Sequence, residues 1–281
     1  MHTVLTADGT ELYVKDWGVG RHVILMHGWP LSADSWDDQA MAIADAGYRA
    51  IAYDRRGFGR SSQPWSGYDY DTLSDDLASV MAHTDAHDAT LVGFSMGGGE
   101  VARYMSRHGG KSVSQAILVS SILPYRLKTA DNPNGSPPEA FAETARALTE
   151  DRPEFLGRFF RDFFGVNLLS QPVSDELLQW ARSVAMQASL KATLDCLKAF
   201  STTDFRSELE CFRVPTLFIH GTEDLTVPID ASSRPAAQAI TPAKLLAYDD
   251  APHGLWATHK ERLSSDIIEF LNSFEPRTAL C

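Results

Sequence analysis

Gly93-Phe94-Ser95-Met96-Gly97 sets a serine between two glycines in the G-x-S-x-G spacing of a nucleophile elbow. A turn of this kind, from strand into helix, strains the serine backbone and exposes its hydroxyl. The flanking glycines let neighbouring backbone pass where a Cβ would clash. Leu91-Val92-Gly93-Phe94 reads as the preceding strand, and Gly97 to Met105 as the start of the following helix. The chemistry on offer is nucleophilic attack on an acyl carbon. It requires a base for the hydroxyl and an acid to orient the base, in the chain order serine, acid, histidine.

Four histidines follow Ser95: His108, His220, His253 and His259. His108 falls at the far end of the helix that the serine opens. His220 closes a predicted strand but precedes no strand that could deliver an acid, and His259 borders the final helix. His253, in Asp249-Asp250-Ala251-Pro252-His253-Gly254, lies in a turn-rich loop after the last strand, where a mobile base belongs. For the acid, Asp224 in His220-Gly221-Thr222-Glu223-Asp224 is preferred to its neighbour Glu223, because Gly221 supplies the turn that swings a carboxylate inward. Asp249 and Asp250 are too near His253 in sequence to face it across a site.

Acyl transfer builds negative charge on a carbonyl oxygen, so backbone N–H donors must already point at it. Met96, after the nucleophile, supplies one. The second is expected from His27-Gly28-Trp29-Pro30, where Pro30 has no N–H and leaves Trp29 as the only donor beyond Gly28. His27 itself reads as structural. Trp29, Pro30, Met96, Leu225 and Val227 are the expected substrate-pocket residues, because their neighbours are the reacting ones.

These residues need a scaffold, and the chain supplies alternating strands and helices over its first 120 residues, the pattern of a mainly parallel sheet flanked by helices. Thr3 to Thr6 and Thr10 to Trp17 form an expected hairpin around Asp8-Gly9. Strands follow at Val23–Met26, Arg49–Tyr53, Ala89–Phe94 and Val113–Val119. Helices are expected at 33–46, 71–83 and 96–107. From Leu123 to Ser207 no strand is evident, and helices are expected at 139–148, 153–164 and 174–200. Strands 215–220 and 244–248 with helices 230–239 and 260–274 complete the chain. The reading is therefore a core of residues 1–121 and 208–281 with a helical cap insertion at 122–207.

At 281 residues, 44% hydrophobic and 22% charged, the composition is that of a globular domain of ordinary core size. No run of about 20 apolar residues could span a membrane. The N-terminus lacks a basic and then apolar signal segment, so a cytoplasmic protein is expected. A net charge of −12 argues against nucleic acid or an anionic membrane as partner. Cys196, Cys211 and Cys281 are few and widely spaced, which fits neither a disulfide framework nor a zinc site, so no metal is expected.

Four blocks together resemble the α/β-hydrolases called cofactor-free haloperoxidases, perhydrolases and aryl esterases: His27 to Trp36, Tyr53 to Ser62, Gly93 to Glu100, and His220 to Asp224 with Ala251 to Gly254. The resemblance implies an eight-stranded core, a Ser95/Asp224/His253 triad, and Trp29 and Met96 as oxyanion donors. It implies no cofactor, a homo-oligomer, and small esters, lactones or bicyclic lactams as substrates. It also implies conversion of carboxylic acids and hydrogen peroxide to peracids, a reaction with which Pro30 is linked.

Other stretches of the chain allow other readings. Gly110-Lys111-Ser112 matches the end of a phosphate-binding loop, but that motif needs glycine where Met105 stands. Asp54-Arg55-Arg56 could hold an anion, with a brace for the Gly57-Phe58-Gly59 turn the preferred reading. Phe155, Phe159, Phe160, Phe163 and Phe164 read as helix core, some of them able to face a pocket. Dehalogenase and epoxide hydrolase chemistry needs an aspartate nucleophile, which Ser95 replaces. A hydroxynitrile lyase, a lactamase or lactonase, and a non-catalytic receptor on the same fold remain as alternatives.

Overall fold

A computed structural model describes residues 2–273. Its centre is an eight-stranded sheet in the order β1-β2-β4-β3-β5-β6-β7-β8: β1 (His2–Leu5), β2 (Glu11–Gly18), β3 (His22–Met26), β4 (Arg49–Tyr53), β5 (Ala89–Phe94), β6 (Val113–Val119), β7 (Thr216–Gly221) and β8 (Ala243–Tyr248). The β1–β2 and β2–β4 pairs are antiparallel and all others parallel. The continuous apolar runs of the central strands follow from burial on both faces. On β3, Ile24 and Met26 point to one face, where α2 (Tyr70–His83) and α3 (Gly97–Arg107) pack through Leu73, Leu77, Val101 and Met105. Val23 and Leu25 point to the other, against Ile43 of α1 (Asp37–Asp45) and Leu263, Ile267 and Leu271 of α9 (Lys260–Asn272).

Between β6 and β7 lie three longer helices: α4 (Pro138–Phe163), α5 (Asp175–Gln187) and α6 (Leu190–Thr202). α4 joins the two expected segments across a break at Asp151, whose φ of −150° and ψ of 80° are non-helical. The Asp151 carboxylate accepts the Glu154 N–H at 3.0 Å, an N-cap restarting the helix just before Pro153. The single helix expected over 174–200 is two. Ala188 is extended, and the Ser189 hydroxyl accepts the Ala192 N–H at 2.9 Å, so a serine inside an apolar run acts as a cap. The helix expected at 33–46 opens as a 3-10 turn, Ala33–Trp36, before α1. The one expected at 230–239 is a 3-10 turn, Ile229–Ala231, followed by α7 (Ser233–Ala239). A short helix, α8 (Leu255–Thr258), precedes α9 and has no counterpart in the sequence reading. Phe274 and Cys281 lie outside the described residues.

Asp54-Arg55-Arg56 forms the brace. Asp54 accepts the backbone N–H groups of Ala33 and Arg60, each at 2.8 Å. Arg56 is held by Asp76 and Asp8. Arg55 pairs with the fully buried Glu100 of α3, its Nε donating at 2.6 Å, and the Tyr53 hydroxyl donates to the same carboxylate at 2.6 Å. Removing one partner of a buried pair strands the other charge. Glu100→Ala is therefore expected to cost about 3–5 kcal/mol, read as a lower chemical-denaturation midpoint. Arg146→Ala, which breaks an exposed pair with Glu143, should leave that midpoint unchanged.

Candidate active site

The carboxyl ends of four parallel strands converge on one cleft, as expected for ligand sites in open α/β sheets. Ser95 follows β5, Asp224 follows β7, His253 follows β8 and Trp29 follows β3. Ser95 has a φ of 53°, the left-handed region that a serine rarely adopts. Its N–H donates to Val119 O at 2.8 Å, its carbonyl accepts Gly98 N–H at 3.0 Å, and α3 begins two residues later. The turn is too tight for side chains on either side. A Cβ on Gly93 would lie 2.6 Å from Gly97 O, and one on Gly97 would lie 2.7 Å from Met26 O. The glycine spacing is thus a steric requirement of the elbow.

His253 Nδ1 donates to Asp224 Oδ2 at 2.6 Å, with both side chains buried. That bond leaves Nε2 as the free ring nitrogen, and Ser95 and His253 line the same cleft. Among the described residues no hydrogen bond joins Ser95 Oγ to Nε2; such bonds are often long before substrate binds. The histidine ring is clamped between Phe94 and Phe163, with centroid distances of 5.0 and 4.9 Å. Its carbonyl accepts from Ser120 Oγ at 3.2 Å. Asp224 also accepts the Val227 N–H at 2.7 Å. Burial works to raise its pKa, but the charge attraction of His253 and hydrogen bonds from His220 and His253 outweigh it and hold the carboxyl below its ordinary range.

His220, set aside in the sequence reading, sits 3.0 Å from the same Asp224 oxygen through Nε2. That nitrogen also lies 2.7 Å from Val227 O, and both partners only accept, so Nε2 carries a proton. Nδ1 meets Ser233 Oγ at 2.7 Å. Its position at the end of β7, four residues before Asp224, was the available signal. Glu223, the competing acid, is exposed. His108 pairs with Asp75, and His259 packs near Tyr248.

Around Trp29 the chain turns tightly, with Leu31 N–H donating to Gly28 O at 3.0 Å. His27 is fully buried, and burial, aided by the nearby Arg55 charge, pushes its pKa well below the usual value. The neutral ring donates from Nδ1 to Gly28 O at 2.9 Å and accepts Arg55 N–H at Nε2 at 3.0 Å. It therefore serves as a strut for this loop. Among the described residues, the backbone N–H groups of Trp29 and Met96 have no hydrogen-bond partner.

The cleft encloses about 660 Å³ including its mouth. Trp29, Ser95, Ile122, Thr226, Val227 and His253 line it from the sheet side. Phe141, Thr144, Phe155 and Phe159 of α4, with Leu197 and Phe200 of α6, line it from the helical side. Of the five expected pocket residues, Trp29 and Val227 are in place. Leu225 is not: the turn that sends Asp224 and Val227 inward leaves it 74% exposed. Met96 and Pro30 are also not in the lining, because Met96 is packed into the core beneath α3 and Pro30 is buried within its turn. Phe160, Phe163 and Phe164 are core residues. Arg126, which no sequence motif marks, lines the cleft as well. It is 9% exposed, and burial pulls its guanidinium down to about 10 despite the opposing Asp224 charge.

A family model described as alpha/beta hydrolase fold matches residues 21–259. The non-heme chloroperoxidase CPO-A1 of Kitasatospora aureofaciens is 43% identical over 95% of this chain and 98% of its own. The bifunctional esterase/perhydrolase DCH of Acinetobacter calcoaceticus is 38% identical over 97% of this chain and its own full length. The crystal structure of a bromoperoxidase from Bacillus anthracis superposes with a TM-score of 0.93 at 42% identity, covering 96% of this chain and 99% of the other. With an eight-stranded sheet in hydrolase order and these relatives matched end to end, the chain belongs to the α/β-hydrolase family, in the group of the non-heme haloperoxidases and esterase/perhydrolases.

Proposed function

We propose that this protein is a serine hydrolase of small carboxylic esters that works through an acyl-enzyme and also accepts hydrogen peroxide as acyl acceptor. The observation that carries the reading is the His253–Asp224 bond of 2.6 Å beside a strained Ser95 at the floor of an apolar cleft. Ser95 Oγ attacks the ester carbonyl as His253 Nε2 takes its proton, and His253 returns that proton to the departing alcohol. The charge that develops on the carbonyl oxygen is met by the unpartnered N–H groups of Trp29 and Met96. Water then releases the acid. Hydrogen peroxide in its place releases a peracid, which oxidises halide to hypohalous acid and reverts to the carboxylic acid.

The buried Trp29-Pro30 turn and the esterase/perhydrolase relative favour the peroxide branch. The helices of residues 122–207 act here as a cap. Trp29 Nε1 donates to Thr193 O of α6 at 3.0 Å, which ties one proposed oxyanion donor to that cap.

Ser95→Ala is expected to lower kcat for p-nitrophenyl acetate by about 10⁶-fold, and retention of most of the activity would refute the mechanism. Asp224→Asn should lower kcat by about 10⁴-fold while leaving KM little changed. The same variant has a stability signature. Folding holds the Asp224 carboxyl below its ordinary value of 3.8, so its contribution is complete above about pH 4 and lost as pH falls toward the folded value. Asp224→Asn should therefore flatten the acid limb of a denaturation-midpoint profile below pH 4. Pro30→Leu should depress peracid formation, followed by halide oxidation, more than ester hydrolysis; equal losses would remove Pro30 as a ground for the peroxide branch.

A further inference from the structure

Among the described residues that line the cleft, Arg126 is the one Lys or Arg. Its Nη2 donates to Thr226 O at 2.8 Å and reaches Ser136 Oγ at 3.5 Å, while Nε and Nη1 have no hydrogen-bond partner among the described residues. Among the described residues no carboxylate lies within ion-pair distance of it. Asp224, whose charge it senses, is already committed to His253, His220 and Val227 N–H. An uncompensated buried guanidinium is destabilising, and Arg55 and Arg56, more deeply buried still, are each matched by a carboxylate. Arg152 also has an unpartnered Nε, but it donates to the carbonyls of Ala185 and Ala188 behind the cap and lies outside the cleft.

From this unpaired cation we infer that the cleft is built for an acyl substrate carrying a second, free carboxylate, which Arg126 binds while Ser95 attacks the ester carbonyl. The substrate class is the half-ester of a short dicarboxylic acid, or a lactone bearing a carboxylate. This rests on the serine-hydrolase reading and names the substrate of that site. The guanidinium supplies N–H donors and a charge that does not titrate at neutral pH, the combination that recognises carboxylates. The aromatic walls from α4 and α6 then hold the methylene chain between the two ends. The reaction is unchanged in its balance: the alcohol leaves with the Ser95 proton, and water releases the diacid.

The test compares ethyl hydrogen glutarate with its uncharged counterpart ethyl 5-methylhexanoate. In wild-type enzyme the half-ester should have the higher kcat/KM, through KM. In Arg126→Gln the ratio of the two kcat/KM values should fall at least 30-fold, and Arg126→Lys should restore part of it. A ratio that moves less than threefold would overturn the assignment and leave Arg126 a brace for the Thr226 carbonyl. Calorimetry on Ser95→Ala, which needs no turnover, should show at least tenfold tighter binding of the half-ester. Equal binding, or displacement of the half-ester by bromide at lower concentration than the half-ester itself, would overturn the proposal even where Arg126→Gln fails to fold. If neither ester nor p-nitrophenyl acetate is turned over, the serine-hydrolase reading fails, and the calorimetric comparison still decides the role of Arg126.

Discussion

The site hangs on one backbone constraint: Ser95 at a φ of 53° between β5 and α3. A left-handed conformation costs a non-glycine residue about 1–2 kcal/mol, and the strand–helix junction must supply that continuously. It does so by hydrogen-bonding both sides of the serine peptide and by closing the helix against β3, where Gly97 meets Met26. The strain aims the hydroxyl up out of the sheet and sets Met96 N–H at the opening of α3. Glu100, one turn further along the same helix, carries the arrangement outward. Its pairing with Arg55 connects α3 to His27, and His27 supports the loop bearing Trp29. The two proposed oxyanion donors are thereby held relative to one another through a buried ionic and hydrogen-bonded path.

The second half of the site depends on the helices between β6 and β7. Phe163 packs edge-on to the His253 ring, and Gly254 N–H donates to Phe163 O at 2.9 Å, so the end of α4 fixes the loop that presents the histidine. α6 receives the Trp29 indole, and Phe200 stacks edge-on beside it at 5.7 Å. The helices that wall the cleft are therefore also the supports of the proposed base and of one proposed donor. Changes in this segment made to alter the pocket will alter the reacting groups as well, and kcat and KM will not separate cleanly there.

Much of this was legible in the sequence because it is encoded over short distances. The elbow needs glycines at fixed offsets. The strands are uninterrupted apolar runs because both faces of the sheet are covered, and Ala89–Phe94 and Val113–Val119 have the bounds expected of them. Asp224 and His253 stand in loops that directly follow strands, so strand order alone brings them together. What escaped has non-local causes. Which of Asp224, Leu225, Thr226 and Val227 face inward is set by a side-chain-capped turn, and periodicity carries no information about it. Ser189 in an apolar stretch reads as helix until its hydroxyl is seen to cap the next one. Arg126 lies in a loop without a motif, and it is held there by distant segments, through Thr226 O and Ser136.

Whether Ser95 is a nucleophile activated by His253 can be decided by treating the native protein with a fluorophosphonate and mapping the adduct by peptide mass spectrometry. A single phosphonylated residue, Ser95, is expected, with labelling abolished in His253→Ala. An unreactive wild-type protein, or an adduct carried by any other residue, would contradict it.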